Sequence, residues 1–109
     1  MLNWEDFQKV DIRTGTVISA EPFPQARKPA YILHIDFGPL GIKKTSAQIT
    51  DHYNPEDLPG KQVMAVVNFP PKQIGPIQSE CLLLGSLDEN HKVVLLSSDK
   101  PVENGLRIG

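Results

Sequence analysis

The sequence predicts an all-β domain, a small barrel of short strands, on three observations. Apolar and β-branched residues alternate with polar ones along most of the chain, which is the period of a strand with one buried face. Proline and glycine turns separate these stretches at roughly 10-residue spacing, as in small barrels and sandwiches. A helical stretch falls between the third and fourth strands, which selects the five-stranded OB-fold barrel over a sandwich.

Taken in order, Asn3 stands as an N-cap before Trp4-Glu5-Asp6-Phe7-Gln8-Lys9-Val10. Early acids suit the helix dipole and Phe7 and Val10 share a face, so a short N-terminal helix opens the chain. Asp11 to Ala20 sets Ile12, Thr14, Thr16 and Ile18 against Arg13, Gly15, Val17 and Ser19, one long strand bent or bulged at Gly15. Pro22, Pro24 and Pro29 bracket a surface loop carrying Arg27 and Lys28, because proline cannot continue a central ladder. Tyr31 to Phe37 and Ile42 to Gln48 alternate on either side of Gly38-Pro39-Leu40-Gly41 and form a hairpin. Ile49 to Tyr53 reads as the short helix after the third strand.

Gln62 to Asn68 is apolar nearly throughout, a buried strand between Pro59-Gly60 and Pro70-Pro71. Ile74 to Ile77 reads as a Gly/Pro loop, and Ser79 to Leu84 and Lys92 to Leu96 as extra strands toward the C-terminus, with a last short one in Pro101 to Gly109. One domain spans 1–109, with the barrel over about 11–98. Segments 1–10 and 99–109 are extensions whose spare apolar side chains, Val102, Leu106 and Ile108 among them, suit two-fold pairing of copies.

A chain of 109 residues, 39% apolar and 22% charged, has room for one core and no separate catalytic domain. No apolar run approaches the roughly 20 residues that cross a bilayer, and the first residues carry acids where an export signal carries bases. A cytoplasmic location without membrane insertion is expected. Cys81 is the only cysteine, so no internal disulfide can form, and its apolar run Cys81-Leu82-Leu83-Leu84 predicts a buried, inert thiol. His34, His52 and His91 show no metal-ligand spacing, and neither a nucleophile elbow nor a glycine-rich phosphate loop is present. The sequence therefore predicts a binding module, not an enzyme, with no catalytic residues, metal or cofactor.

Charge sharpens that reading. The net charge is −2, yet from Pro22 to Thr50 four positives, Arg27, Lys28, Lys43 and Lys44, face the single acid Asp36. That segment carries +3 and the remainder −5. A basic centre on an OB barrel points to an oligonucleotide surface, with cations on phosphates and polar groups on bases. Arg13 and Lys72 join the cations, and Asn68 and Ser79 are the polar readers.

Several segments carry a resemblance. Asp11-Ile12-Arg13-Thr14-Gly15-Thr16-Val17 with Ala20-Glu21, Pro55-Glu56-Asp57-Leu58-Pro59-Gly60-Lys61, Val66-Val67-Asn68-Phe69 and Ser79-Glu80-Cys81-Leu82-Leu83-Leu84 resemble the tRNA-binding OB domain appended to some methionyl-tRNA synthetases. Ala26-Arg27-Lys28-Pro29-Ala30, Gly41-Ile42-Lys43-Lys44, Thr45-Ser46-Ala47-Gln48-Ile49-Thr50 and Asn68-Phe69-Pro70-Pro71-Lys72 look like its CsaA branch of secretion chaperones. The resemblance spans essentially the whole chain. It implies a homodimeric OB fold without cofactor, and tRNA binding through Arg13, Asn68, Lys72, Ser79 and Glu80, flanked by Arg27, Lys28, Lys43 and Lys44. It also implies chaperone binding of unfolded or precursor polypeptides, for which Phe23, Ile49, Phe69 and Ile74 would line an apolar groove. Leu82 stands where many tRNA binders have methionine, and Pro76-Ile77-Gln78 departs from the usual lead into Ser-Glu, removing a basic contact. The alternative reading is a stand-alone cofactor that recognises tRNA by shape.

Overall fold

A computed structural model describes residues Met1 to Gly109. One short helix, α1 (Trp4–Gln8), precedes the strands β1 (Ile12–Pro22), β2 (Tyr31–Asp36), β3 (Ile42–Ala47), β4 (Gln62–Val66), β5 (Lys72–Ile74), β6 (Ile77–Ser79), β7 (Leu82–Leu83), β8 (Gly85–Leu87) and β9 (Val93–Leu95). Five of them form an antiparallel sheet in the order β3-β2-β1-β4-β7, and β5-β6 and β8-β9 are separate hairpins. The predicted all-β barrel is the observed fold, with α1 capped by Asn3, whose side chain accepts the Asp6 N–H at 2.9 Å.

Strand alternation places the core. In the β2-β3 ladder Leu33 faces Thr45 and Tyr31 faces Ala47, and all four are buried, as is Ile35 next along β2. Phe37, Leu58, Val17, Val63 and Ala65 complete the same cluster. The alternate residues Ile32, His34, Lys44 and Ser46 are only half-buried. A period of two therefore separates interior from surface on the same strands.

Four sequence expectations need correction. The bulge in β1 lies between Val17 and Ser19, not at Gly15. Gly15 is needed for another reason, since a Cβ there would sit 2.7 Å from Ile35 Cγ2 and 2.9 Å from the Phe37 ring. The helix after the third strand is a single 3-10 turn at Pro55–Asp57, later than Ile49 to Tyr53. Proline at its first position suits a helical start, while Ile49 is drawn into the core. The supposed Gly/Pro loop at Ile74 to Ile77 is the turn of the β5-β6 hairpin, with Gly75 at φ +55. The strand expected over Ser79 to Leu84 is broken between Ser79 and Leu82.

That break closes the barrel. Glu80 N–H donates to Lys44 O at 2.8 Å while Lys44 N–H donates to Glu80 Oε1 at 3.0 Å, so one glutamate stands in for a strand on the β3 edge. Beside it runs a chain of single-proton bonds. Ser46 N–H donates to Ser79 Oγ at 3.2 Å, the Ser79 and Thr45 hydroxyls meet at 2.8 Å, and Thr45 Oγ1 donates to Cys81 O at 2.8 Å. Thr45 is 1% exposed, so its bond to Cys81 O forms away from competing water, where leaving a partner unmade costs about 1–3 kcal/mol.

The C-terminal tail pairs with the half of β1 that β2 leaves open. Thr14 N–H donates to Leu106 O, Gly105 N–H to Thr14 O and Ile108 N–H to Ile12 O, at 2.8–3.0 Å. Thr14 Oγ1 adds bonds to Glu103 O and from Leu106 N–H. Gly105 has φ +87, and a Cβ would lie 2.5 Å from Phe37 O, so only glycine fits this crossing.

Candidate functional site

Two hollows meet on the face bounded by β3, the β5-β6 hairpin and the loop after β1. The first, about 340 Å³, opens at the barrel seam and is lined by Thr45, Ser46, Phe69, Pro70, Lys72, Ile74, Ser79, Cys81 and Leu82. The second, about 570 Å³, is bounded by Arg27, Lys28, Gln48, Gln73 and the 25–30 loop, and shares Ser46, Lys72 and Ile74 with the first. Together they form one groove with an apolar end and a cationic end. Pro70-Pro71 sets the apolar end by stopping the chain after β4 and leaving Phe69 56% exposed. Gly75 turns the hairpin so that Lys72 and Ile74 both border the groove.

Of the predicted RNA contacts, Arg27, Lys28, Lys72 and Ser79 line this groove. Lys44 is half-buried on the same strand face as Ser46, and Lys43 lies at the start of β3 on the alternate face, close enough to act electrostatically on Cys81. The others are engaged elsewhere. Arg13 Nε lies 2.7 Å from Asp11 Oδ1 and its Nη1 donates to Gly105 O at 3.0 Å, which fixes the guanidinium between the start of β1 and the tail. The hydrogen bond from Arg13 Nε holds the Asp11 carboxyl below its usual pKa. Asn68 uses both ends of its amide locally, accepting Asp11 N–H at 3.0 Å and donating to Lys9 O at 2.7 Å. Glu80 and Ser79 are the seam. Thus Arg13, Asn68 and Glu80 hold the structure around the groove instead of lining it.

The apolar set also divides. Phe69 and Ile74 line the seam end, but Phe23 and Ile49 are each 3% exposed and belong to the interior. Phe23 packs under the β5-β6 turn, near Gly75, and Ile49 joins the core, so neither lines the groove. Several lining residues were not among the predicted contacts. Ser46 and Gln48 follow from alternation in β3, whereas Pro70 and Leu82 enter only because the 72–79 hairpin folds beside them.

Cys81 lies at the floor of the seam end, 7% exposed, and burial pushes its thiol up to about 11 from an ordinary value of 9.0. The native state then holds the thiol proton more tightly than the unfolded chain does, so stability falls as pH rises through the window between those two values. The loss reaches about 2–3 kcal/mol by pH 11. Urea titrations at pH 8 and pH 11 will show this loss in the native chain and not in Cys81→Ala, and native Cys81 will resist alkylation at neutral pH.

The family described as "Putative tRNA binding domain" matches residues 12–107. The chain belongs to this family. Within it the chain falls in the CsaA branch. The crystal structure of the chaperone CsaA of Bacillus anthracis matches with a TM-score of 0.95 and 54% identity, over 100% of this chain and 99% of that one. The CsaA chaperone of Picrophilus torridus matches at 0.93 and 45% over both whole chains. A MetRS-related protein of Pyrococcus horikoshii follows at 0.88 and 29%, over 100% of this chain and 98% of that one. Methionine–tRNA ligases of Porphyromonas gingivalis and Pyrococcus horikoshii are 37% and 35% identical over 96% and 98% of this chain. The chain spans only 15% and 14% of those ligases.

Of the stretches that carry the resemblance, the Ser-Glu pair at the seam and the Asn-Phe-Pro-Pro segment have the clearest structural work in this chain. The first closes the barrel, and the second ties down the N-terminus while exposing Phe69.

Proposed function

We propose that this chain is a CsaA-like, non-enzymatic binding module that takes unfolded or export-bound polypeptide segments and tRNA in one groove, as a cytoplasmic homodimer. The observation that carries the proposal is the continuity of the groove. Lys72 and Ile74 border both the apolar end, with Phe69 and Leu82, and the cationic end, with Arg27 and Lys28. Apolar side chains of an unfolded segment lose water against Phe69, Pro70 and Ile74. Phosphates meet Arg27, Lys28 and Lys72, and an unstacked base has Phe69 to stack on. The family match supports the RNA half, and the CsaA neighbours support the chaperone half. Displacement of one ligand by the other is the test.

The dimer rests on a second surface. Met1, Leu2, Trp4, Val10 and Leu106 are exposed, with Trp4 82% open, and half-buried Phe7 and Ile108 lie between them. The tail touches α1 there, Arg107 donating to Gln8 O at 2.7 Å. A two-fold pairing would cover this patch. Light scattering at micromolar concentration will give twice the 12.1 kDa chain mass, and Trp4→Glu will give the single-chain mass. A single-chain mass for the native protein would contradict the dimer.

A further inference from the structure

The groove continues past its cationic end. Lys28 and Gln48 also line a third hollow, of about 220 Å³, whose other walls include Thr50, Asp51, His91 and Lys92. Its lining is polar and charged apart from Pro29. An unfolded polypeptide finds little apolar surface there, whereas a phosphodiester chain finds cations, an amide and a hydroxyl.

The residues on the far wall are held in place. Asp88 Oδ1 accepts the N–H groups of Asn90 and Lys92 at 2.8 and 2.9 Å, and Asp88 N–H donates to Lys92 O at 2.9 Å. His52 Nε2 lies 2.7 Å from Asp88 Oδ2 and fastens this turn to the loop after β3. His91, at φ +60, is the turn residue that leads the chain through Lys92 into β9. One acid faces the cations, with Asp51 Oδ1 3.7 Å from Lys92 Nζ.

We propose that this third hollow is a further phosphate subsite for single-stranded RNA, so that a strand runs from Phe69 past Lys72, Arg27 and Lys28 to Lys92. The inference rests on the groove reading above and adds a length and a ligand class to it. A stacking platform followed by spaced cations is what an unstacked strand requires, since phosphates repeat along it and every base offers a flat face. Gln48 and Thr50 can bond phosphate or 2′-hydroxyl oxygens without reading sequence.

The test measures binding of labelled oligouridylates of about 4 and about 12 residues, both within the range of OB-fold site sizes, across a salt series. Lys92→Gln will weaken the longer strand by about three- to tenfold and lower its salt slope by about 0.7, while the shorter strand is unaffected. Asp51→Asn, which removes the opposing acid, will tighten the longer strand. Both variants silent, with Lys72→Gln weakening both strands, overturns the third subsite and leaves the groove reading intact. Lys72→Gln silent as well removes the groove reading with it. If Lys92→Gln and Asp51→Asn weaken binding alike and lower the melting temperature alike, the pair is a structural ion pair and the subsite is overturned.

Discussion

Replacing Arg27 and Lys72 together by glutamate will lower tRNA affinity by about two orders of magnitude near ~0.1 M salt, equally for all tRNAs, because phosphate contacts carry no sequence information. Both residues are exposed, both border the cationic end of the groove, and neither forms an ion pair that its loss would break. The neutral Arg27→Gln, Lys72→Gln pair will reduce the slope of log affinity against log salt by about 1.4–1.8, or roughly 0.7–0.9 for each lost phosphate. Thermal unfolding will be unchanged in both. An unchanged salt slope in the glutamine pair would reduce the basic centre to a solvated face, despite its +3 against the rest of the chain.

Gly15→Val will destabilise the barrel by about 3 kcal/mol or more, a large share of the roughly 5–15 kcal/mol that holds a domain of this size. The added Cβ alone meets Ile35 Cγ2 at 2.7 Å and the Phe37 ring at 2.9 Å. Both neighbours are fully buried, so neither can move aside without displacing the core. Gly15→Ala will cost less, in the same direction. Urea unfolding reads the effect as a fall in midpoint at constant slope. A native-like midpoint for the valine variant would show that β1 and β2 can spread apart at this point.

Much of the fold was legible because alternation and turn residues are local signals. Ile12 to Ala20, Tyr31 to Phe37 and Ile42 to Gln48 each carry enough period-two pattern to define a strand, and Asn3 a cap. The β5-β6 hairpin was not legible, since its strands are three residues each and Gly75-Pro76 dominates the local pattern. The site was legible in residue types more than in roles. Arg27, Lys28 and Lys72 have no partners in the fold and remain on the groove, as their charge suggested.

Arg13, Asn68 and Glu80 have the same chemistry as RNA-contacting residues, but each also finds a partner more than thirty residues away in the chain, at Gly105, Lys9 and Lys44, Arg13 in addition to its near neighbour Asp11. Only the folded register shows that these groups are already satisfied. Phe23 and Ile49 pose the converse problem, because an aromatic or β-branched residue in a loop reads the same whether it packs inward or faces a ligand.

The sharing of one groove by RNA and polypeptide is the central claim, and competition tests it most directly. Labelled tRNA held at about its dissociation constant is titrated with a permanently unfolded polypeptide at fixed, moderate salt, and the reverse titration follows. If Lys72 and Ile74 border a single continuous site, each ligand will displace the other completely, and the apparent affinity for tRNA will fall in proportion to added polypeptide. A ternary complex in which both ligands bind with undiminished affinity would contradict the account.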